Sequence, residues 1–566
     1  MAGRHTSSRG KRDNKIGKRA VENVELKPPA NAAAQDDEAD EEPEPKPELV
    51  IGLVGPVGTD LHLLARRIEE KLSPFQYRCA RIRVSQLIAS WCDPELQQAI
   101  KSAAGGERIR LLMDAGDRLR KLAGKGDAIL PLIIGAIRAA RRKFNKKDGV
   151  DLGRHAYNAC YILDSLKHPD EVEALRRIYG RNFILVSGFD SEDTRRERLK
   201  DIIAKAVLST ETDEFEEEAS ELIKVDAKRP GERIGQNVRE TFPLGDFFIR
   251  TSGNFESDLE RFIDILFGSP YLTPRRGEYF MFEANAIAHR SADLSRQIGA
   301  VIVDRHGEII SAGCNEVPKA EGGAYWPDDD AAFDNRDYVK GKDFNAVKKF
   351  DIIKEVLEFL HRHQVMQAAD GLSVDDAAKE LLYGRHKELF KDLRVSNLIE
   401  FGRVVHAEMS ALMRAAQRGI AVDGSELYST TFPCHMCARH IISAGITRVV
   451  YIEPYPKSMT AELFPETVSI DKAPNAVKAT TQAKGKRAVV KPLVRFDPFE
   501  GIAPSLFVTL FRAGKRKDRQ GYIVEWVRAD AQPKVAQLSE ADLEIEQAIA
   551  TELDGVPKVG LKECVA

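Results

Sequence analysis

Apolar and polar positions follow two alternating patterns from residue 49 onward. The segment "LVIGLVGPVG" (49–58) is a short apolar run that ends in glycines, and "TDLHLLARRIEEKL" after it has helical spacing. The runs "AYNACYILDSL" and "NFILVSGF" are again strand-like, and the helical "KHPDEVEALRRIYG" lies between them. Strands that alternate with helices predict a parallel sheet covered on both faces. Residues 49–270 are therefore predicted to form one α/β domain.

A second series of elements follows the Pro- and Gly-bearing stretch "FGSPYLTPRRGEY". The pattern predicts a helix, a hairpin ("QIGAVIVD", "RHGE", "IISAGCNE"), a long polar and helical insertion, and then the helix "HAEMSALMRAAQRG". The strand "SELYSTT", the helix "CARHIISAG" and the strand "RVVYIEP" complete it. This order predicts a second α/β domain over residues 271–520, followed by a C-terminal tail at 521–566.

The first 48 residues have a different character. A basic, polar start gives way to the acidic, Pro-rich "AAAQDDEADEEPEPKPE", so residues 1–48 are predicted to be a disordered tail. The basic start is not followed by an apolar segment, and no apolar run reaches the length that spans a membrane. We therefore expect a cytoplasmic protein without a membrane partner.

The composition limits the classes of binding partner and the roles that the cysteines can have. The chain has 566 residues, 43% of them hydrophobic and 31% charged, and a formal net charge of −3. Such a balance provides no global basic field for holding a long nucleic acid. The seven cysteines are too sparse for a disulfide framework, so a close pair of them indicates metal binding or redox chemistry.

The candidate metal-binding and catalytic residues lie in the segments "VVHAEMSALMRAA" and "TTFPCHMCARHIISAG". One imidazole, from His406, and two thiolates, from Cys434 and Cys437, make three ligands for a tetrahedral Zn²⁺ and leave a fourth position for water. Zinc lowers the pKa of a bound water toward neutrality. Glu408 stands two residues from the histidine, where it can move the proton of that water. We predict a zinc site formed by the three ligands, with Glu408 as the catalytic residue.

Two other interpretations of these residues stay open at this point. A lone Cys-x-x-Cys pair is also typical of redox and structural sites, and His406 would then be a hydrogen-bonded core histidine. His435 offers a fourth ligand on paper, although its place inside the pair makes simultaneous coordination awkward. Against both, H-x-E…P-C-x-x-C is the signature of zinc nucleobase deaminases, and the chain satisfies each fixed position.

Residues 280–465 resemble the deoxycytidylate deaminases of the cytidine deaminase-like superfamily. The resemblance rests on "HRSADLSRQIGAVIVDRHGEIISAGCNEVP", "HAEMSAL" and "YSTTFPCHMCARHIISAGITRVVYIEPYPKS". It implies a mixed sheet between helices and hydrolysis at C4 of a cytosine with loss of ammonia. It also implies that Asn315, in "GCNEVP", contacts the bound nucleotide. Ser410 stands where the family commonly has asparagine, and a hydroxyl cannot make the same two-sided amide contact, so the number of substrate phosphates stays open.

The first domain begins with a glycine loop, "IGLVGPVGTDLHLLARRI", that resembles the phosphate-binding loop of P-loop kinases. Gly55, Gly58 and Thr59 are accordingly the predicted nucleotide-binding residues. The last three places of the G-x-x-x-x-G-K-[ST] pattern hold Asp60, Leu61 and His62, so the phosphate-binding lysine and the Mg²⁺-binding hydroxyl are absent. Such a degenerate loop favours a regulatory role over kinase or ATPase turnover.

Two later segments extend this kinase-like resemblance. Asp164 ends a strand in the manner of a Walker-B acid, and "DSEDTRRERL" offers a lid-like cluster of arginines 195, 196 and 198. Each has an ordinary alternative, a strand-end carboxylate or a solvated arginine face.

A P-loop kinase-like domain fused to a deaminase domain resembles the bacterial anti-phage dCTP deaminases. That resemblance implies conversion of dCTP, and of dCMP, to the deoxyuridine nucleotides, which depletes deoxycytidine nucleotides during phage replication. It also implies a regulatory nucleotide at the N-terminal domain and, by analogy, a homo-oligomer. The alternatives are a housekeeping dCMP deaminase, a polynucleotide cytosine deaminase and a non-catalytic nucleotide sensor.

Overall fold

Short runs of apolar and β-branched residues form the strands of two sheets in the described part of this computed structural model. The structure describes residues 45–227, 235–365, 372–390, 393–455, 457–471, 492–552 and 556–560. The strands in these residues are β1 Leu49–Val54, β2 Arg78–Arg83, β3 Ala159–Asp164, β4 Phe183–Phe189, β5 Phe247–Arg250, β6 Gly299–Val303, β7 Ile309–Cys314, β8 Glu426–Thr431, β9 Arg448–Glu453, β10 Val468–Ile470, β11 Val494–Pro498 and β12 Gly501–Ile502.

Helices cover both sheets. In the same residues they are α1 Leu61–Leu72, α2 Val84–Trp91, α3 Pro94–Ser102, α4 Gly105–Ala123, α5 Leu130–Asp148, α6 Pro169–Tyr179, α7 Glu192–Ala206, α8 Glu216–Ala227, α9 Val238–Thr241, α10 Glu256–Leu266, α11 Arg276–Ala288, α12 Phe344–Arg362, α13 Val374–Leu382, α14 Lys387–Phe390, α15 Ala407–Gln417, α16 His435–Ser443, α17 Thr460–Leu463, α18 Pro504–Phe511 and α19 Glu540–Ala550. Within this described part, none of the helices combines the length and apolarity that a membrane crossing requires.

The first sheet confirms the parallel arrangement predicted for the N-terminal region. Its order is β2-β3-β1-β4-β5-β12, and all neighbours except β5 and β12 run parallel. Every residue of β1, β3 and β4 is buried, as expected for central strands covered on both faces. The glycine loop follows β1, and β1 lies between β3 and β4 in the sheet. From β1 the chain continues toward one edge of the sheet, and from β3 it crosses toward the other edge.

The second sheet has the order β7-β6-β8-β9-β11-β10 and is mixed. The predicted hairpin is confirmed, since β6 and β7 pair antiparallel around a turn in which Gly307 has φ +93°. Strands β8, β9, β11 and β10 run parallel to one another. Helices α15 and α16 pack on one face and α11 on the other, so the starts of α15 and α16 come together at one edge of the fold.

Segments near the limits of the predicted domains pack on the first sheet and its helices. After β11 the chain returns to the first sheet, where β12 pairs with β5 through Gly501 and Ile502. The residues beyond 520 are not a free tail, because α19 packs on α5 and α6. Residues 45–48 are also packed, whereas residues 1–44 of the predicted disordered tail lie outside the described residues. Apolar residues of the C-terminal segment are buried against the cores of the first domain. These contacts are long-range, so local composition does not reveal them.

A buried charge network attaches α19 to the first domain. The guanidinium of Arg141 donates to Glu48 at 2.8 Å and to Glu546 at 2.6 Å, and all three side chains are at most 3% exposed. The amide of Ala156 and the hydroxyl of Tyr161 also donate to Glu48. Burial alone would raise the pKa of Glu48, but hydrogen bonds from His155 and Arg141 outweigh it and lower the pKa to about 2.

We expect Glu48 to make the fold sensitive to acid. A carboxyl whose pKa is lowered in the fold stabilises it above the unfolded value, and this contribution is lost as pH falls from about 4.5 toward 2. The shift corresponds to about 3 kcal/mol of unfolding free energy. Urea unfolding of Glu48→Gln should therefore show a loss of about that size at pH 7 that shrinks below pH 4. The surface exchange Glu70→Gln is the control, and equal pH profiles for the two variants would refute the assignment.

Candidate active site

The three predicted zinc ligands lie at the starts of two neighbouring helices. His406 is the N-cap residue of α15, and Cys434 is the N-cap residue of α16, with extended backbone at both positions. Cys437 lies in the first turn of α16, and its amide donates to the Cys434 sulfur at 3.4 Å. The unpaired N–H groups of a helix start favour thiolates, so this placement suits metal-binding cysteines.

The distances between these side chains match a zinc centre. Cys434 Sγ lies 3.3 Å and Cys437 Sγ 3.5 Å from His406 Nδ1, and the three donor atoms all lie within 4.8 Å of one another. Tetrahedral bonds of about 2.3 Å to sulfur and about 2.0 Å to nitrogen require an S···N separation of roughly 3.5 Å. The donor set therefore fits zinc in both its chemistry and its spacing.

The charges within the cluster also favour a cation. Hydrogen bonds from Cys437 and His406 lower the pKa of Cys434 to about 4, and the Cys434 sulfur raises the pKa of His406 to about 9. The pKa of Cys437 is raised, because it shares its hydrogen with Cys434 and is buried. Two adjacent thiolates therefore disfavour each other without a metal, and a divalent cation removes that conflict.

Glu408 lies in the first turn of α15, beside the cluster, and is 4% exposed. Burial, followed by the charge of Cys434, raises its pKa to about 7. The structure thus brings the predicted catalytic carboxyl and the three predicted ligands into one group, in which Glu408 and both cysteines are buried and His406 is half-buried.

Asn315 lies at the same site but is engaged by the protein itself. Its Oδ1 accepts from the Ile298 amide at 2.7 Å, and its Nδ2 donates to Asp293 at 2.5 Å and to the Arg296 carbonyl. The residue lines the cavity beside the cluster and is only 2% exposed. The predicted contact of Asn315 with a nucleotide stays a prediction; both Nδ2 hydrogens are engaged, whereas Oδ1 accepts one bond from the described residues.

Ser410 faces the sheet rather than the cavity. The start of α15 lies directly on Gly313 of β7, where an added Cβ would come within 2.5 Å of the Ala407 carbonyl and 2.8 Å of the Ser410 Cβ. A small side chain at position 410 permits this close packing of the ligand-bearing helix. The structure therefore gives Ser410 a packing role.

Comparison with known proteins agrees with this geometry. Residues 274–453 match the family described as the cytidine and deoxycytidylate deaminase zinc-binding region. The C-terminal region is a cytidine/deoxycytidylate deaminase domain. The deaminase domain is that of a hydrolytic enzyme acting on cytosine, and zinc is its cofactor.

Relatives of the deaminase domain come from phage, bacteria and animals. The deoxycytidylate deaminase of Enterobacteria phage T2 is 28% identical over 177 residues, which cover 31% of this chain and 78% of that protein. ComE operon protein 2 of Bacillus subtilis (strain 168) is 44% identical over 63 residues, and the chain spans only 33% of its length. A cyanophage S-TIM5 dCMP deaminase structure with dCMP and dUMP has 20% identity and a TM-score of 0.20, covering 35% of this chain and 94% of that one.

A cavity of about 370 Å³ opens beside the cluster of the deaminase domain. His406, Glu408 and Cys434 form one part of its lining, and Phe432 and Tyr455 contribute aromatic rings. Further lining comes from the insertion between β7 and α15, including the polar residues Asn345, Lys349 and Arg403. Sequence reasoning missed these last three residues. A polar pair four residues apart, Asn345 and Lys349, was the signal that could have marked a helix face turned toward the site.

The glycine loop of the first domain is occupied by the protein's own groups. The Val57 amide donates to the Asp226 carboxylate at 2.7 Å, and Lys167 bridges that carboxylate at 2.8 Å and the Gly55 carbonyl at 3.1 Å. Gly58 has φ +87°, and an added Cβ there would lie 2.7 Å from the Arg195 carbonyl. Thr59 Oγ1 is buried and has no hydrogen-bond partner in the described residues.

The other residues that carry the sequence resemblance to kinases lie around this loop. Asp164 pairs with His62, and the side chains of Arg195 and Arg198 donate to the carbonyls of Val57 and Gly58. The third arginine, Arg196, instead pairs with acids on the surface. A phosphate at the loop would have to replace the Asp226 carboxylate, so nucleotide binding by Gly55, Gly58 and Thr59 stays a prediction.

Proposed function

We propose that this protein is a zinc-dependent hydrolytic deaminase of free deoxycytidine nucleotides, which converts dCTP and dCMP to dUTP and dUMP and releases ammonia. The observation that carries the proposal is the buried carboxyl of Glu408 in the first turn of the helix that His406 caps, beside Cys434 and Cys437. Relatives named deoxycytidylate deaminases support a cytosine nucleotide as the substrate.

Different residues of the cavity have different roles in the proposed reaction. His406, Cys434 and Cys437 would hold zinc, which supplies an activated water at neutral pH when it is bound. The Glu408 carboxylate takes a proton from the attacking water and passes it to the amino nitrogen of cytosine, which leaves as ammonia. Phe432 and Tyr455 line the cavity with aromatic surface that suits a planar base.

The first domain, in this proposal, is a P-loop kinase-like domain that regulates the deaminase. The glycine loop follows the central strand β1 at the point where the sheet order reverses, which is where open α/β sheets bind ligands. Its occupation by Asp226 and Lys167 favours regulation over phosphoryl transfer. Consumption of dCTP and dCMP would deprive a replicating phage of deoxycytidine precursors, and we propose phage defence as the biological role.

A substrate panel tests the proposal. Zinc-loaded protein should release ammonia from dCTP and dCMP but not from a single-stranded oligodeoxynucleotide that contains dC, since the chain has neither a global basic field nor a high aromatic content. CTP and cytidine, each measured with and without dTTP and ATP, define sugar specificity and regulation. Release of ammonia from the oligonucleotide alone would instead identify a polynucleotide deaminase.

A further inference from the structure

The insertion between β7 and α15 forms one wall of the active-site cavity. Helix α12 begins there with Asp343 as its N-cap, which accepts from the Ala346 amide at 3.0 Å. Asn345 and Lys349 are four residues apart, so they share a face of α12, and both line the cavity. The Asn345 amide anchors this face by donating to the Leu398 carbonyl at 2.9 Å.

Lys349 differs from its neighbours in how its charge is compensated. Its ammonium contacts the Ser396 carbonyl at 3.4 Å, and among the described residues no carboxylate forms a salt bridge with it. Arg403 pairs with Asp337 at 2.8 Å, and Arg296 pairs with Glu453 at 2.7 Å. Among the described residues Lys349 therefore brings to the cavity a positive charge that is not held in a salt bridge, although Asp293, Asp337 and Asp343 also line the cavity.

Arg403 also lines the cavity, and its side chain is held in a fixed orientation. Its guanidinium donates to Asp337 and to the Asn335 carbonyl, each at 2.8 Å, and stacks over the Phe344 ring at 4.7 Å. A flexible ammonium and a fixed guanidinium lining one cavity are groups suited to a multiply charged anion.

We propose that Lys349, supported by Arg403, forms the subsite for the phosphate tail of the nucleotide, and that the insertion thereby selects phosphorylated substrates. This inference rests on the proposed function, because it assumes that the base lies at Glu408 in the same cavity. A phosphate supplies the acceptor oxygens and the negative charge that Lys349 lacks among the described residues. Lys349 thus determines specificity without touching the reacting atoms.

The test compares Lys349→Gln with Lys348→Gln in the zinc-loaded full-length protein. Lys348 is the neighbouring residue of α12, is exposed, and pairs with Asp351 at 2.9 Å, so it is a matched control outside the cavity lining. We expect Lys349→Gln to raise KM for dCMP and dCTP about 10-fold with a smaller change in kcat, because a charge-assisted hydrogen bond to phosphate is lost. The KM or inhibition constant of unphosphorylated deoxycytidine should not change, and Lys349→Arg should restore much of the loss.

Ionic strength provides a second readout. The difference in KM for dCMP and dCTP between wild type and Lys349→Gln should shrink as ionic strength rises. The inference is overturned if Lys349→Gln behaves like Lys348→Gln, or if it weakens deoxycytidine as strongly as dCTP. Calorimetric binding of dCTP separates this inference from the proposed function. Binding that depends on Lys349 without any ammonia release would keep the subsite and refute the deaminase activity, whereas absent or Lys349-independent binding would refute the subsite.

Discussion

Replacement of Glu408 by Gln is expected to lower the rate of ammonia release from dCTP and dCMP by about 10³-fold or more while zinc content stays at the wild-type level. Positioned proton transfer contributes roughly 10² to 10⁴ in rate, and an amide cannot accept and return a proton as a carboxylate does. Glu408 belongs to none of the three ligand positions, so its exchange leaves the donor set intact.

The measurement is steady-state ammonia release together with metal analysis of the same preparation. The surface exchange Glu462→Gln, at a side chain that is 59% exposed, is the control for loss of a carboxylate. Near-wild-type turnover by Glu408→Gln would remove Glu408 from the proton-transfer role. Loss of zinc in this variant would show instead that Glu408 is needed to build the metal site.

Replacement of Cys437 by Ser is expected to remove zinc, activity and the stabilising effect of zinc together. His406 and the two cysteines join the starts of α15 and α16, so a metal held by all three cross-links two helices that pack on the same sheet. A ligand that binds only the folded state stabilises it by RT ln(1 + [L]/Kd) and so raises the melting temperature. Wild-type protein should therefore melt at a lower temperature after chelation and recover when zinc is returned.

The Cys437→Ser variant should show a melting temperature that responds to neither treatment. Cys79→Ser, at a half-buried thiol in the first sheet, should behave like wild type in both zinc content and chelator response. Full zinc occupancy in Cys437→Ser, or loss of zinc in Cys79→Ser, would contradict the assignment of the ligands. Retained helix content by circular dichroism distinguishes loss of metal from loss of the fold.

The candidate metal cluster could be predicted from sequence because its signals are local. His406 and Glu408 lie two residues apart, and Cys434 and Cys437 lie three residues apart, each pair at the start of a helix. Helix geometry then determines which way those side chains point, and only one long-range fact, the packing of α15 and α16 on one sheet, has to be added.

The glycine loop shows why the other contacts could not be predicted from the sequence. Its sequence resembles a phosphate-binding loop, but the group that occupies the Val57 amide is Asp226, which lies 169 residues away along the chain. The same holds for β12, which leaves the deaminase domain to join the first sheet, and for Glu546, which pairs with Arg141 across 405 residues. Contacts of this separation follow from tertiary packing and leave no periodic trace in the local sequence.

Ammonia release by the zinc-loaded chain tests the central claim most directly. Protein containing about one zinc per chain should convert dCTP or dCMP to the corresponding deoxyuridine nucleotide with one ammonia for each nucleotide converted. The reaction should be slower by about 10³-fold or more with Glu408→Gln under the same conditions. Zinc-loaded wild-type protein that releases no ammonia from any free cytosine nucleotide would contradict the proposed function.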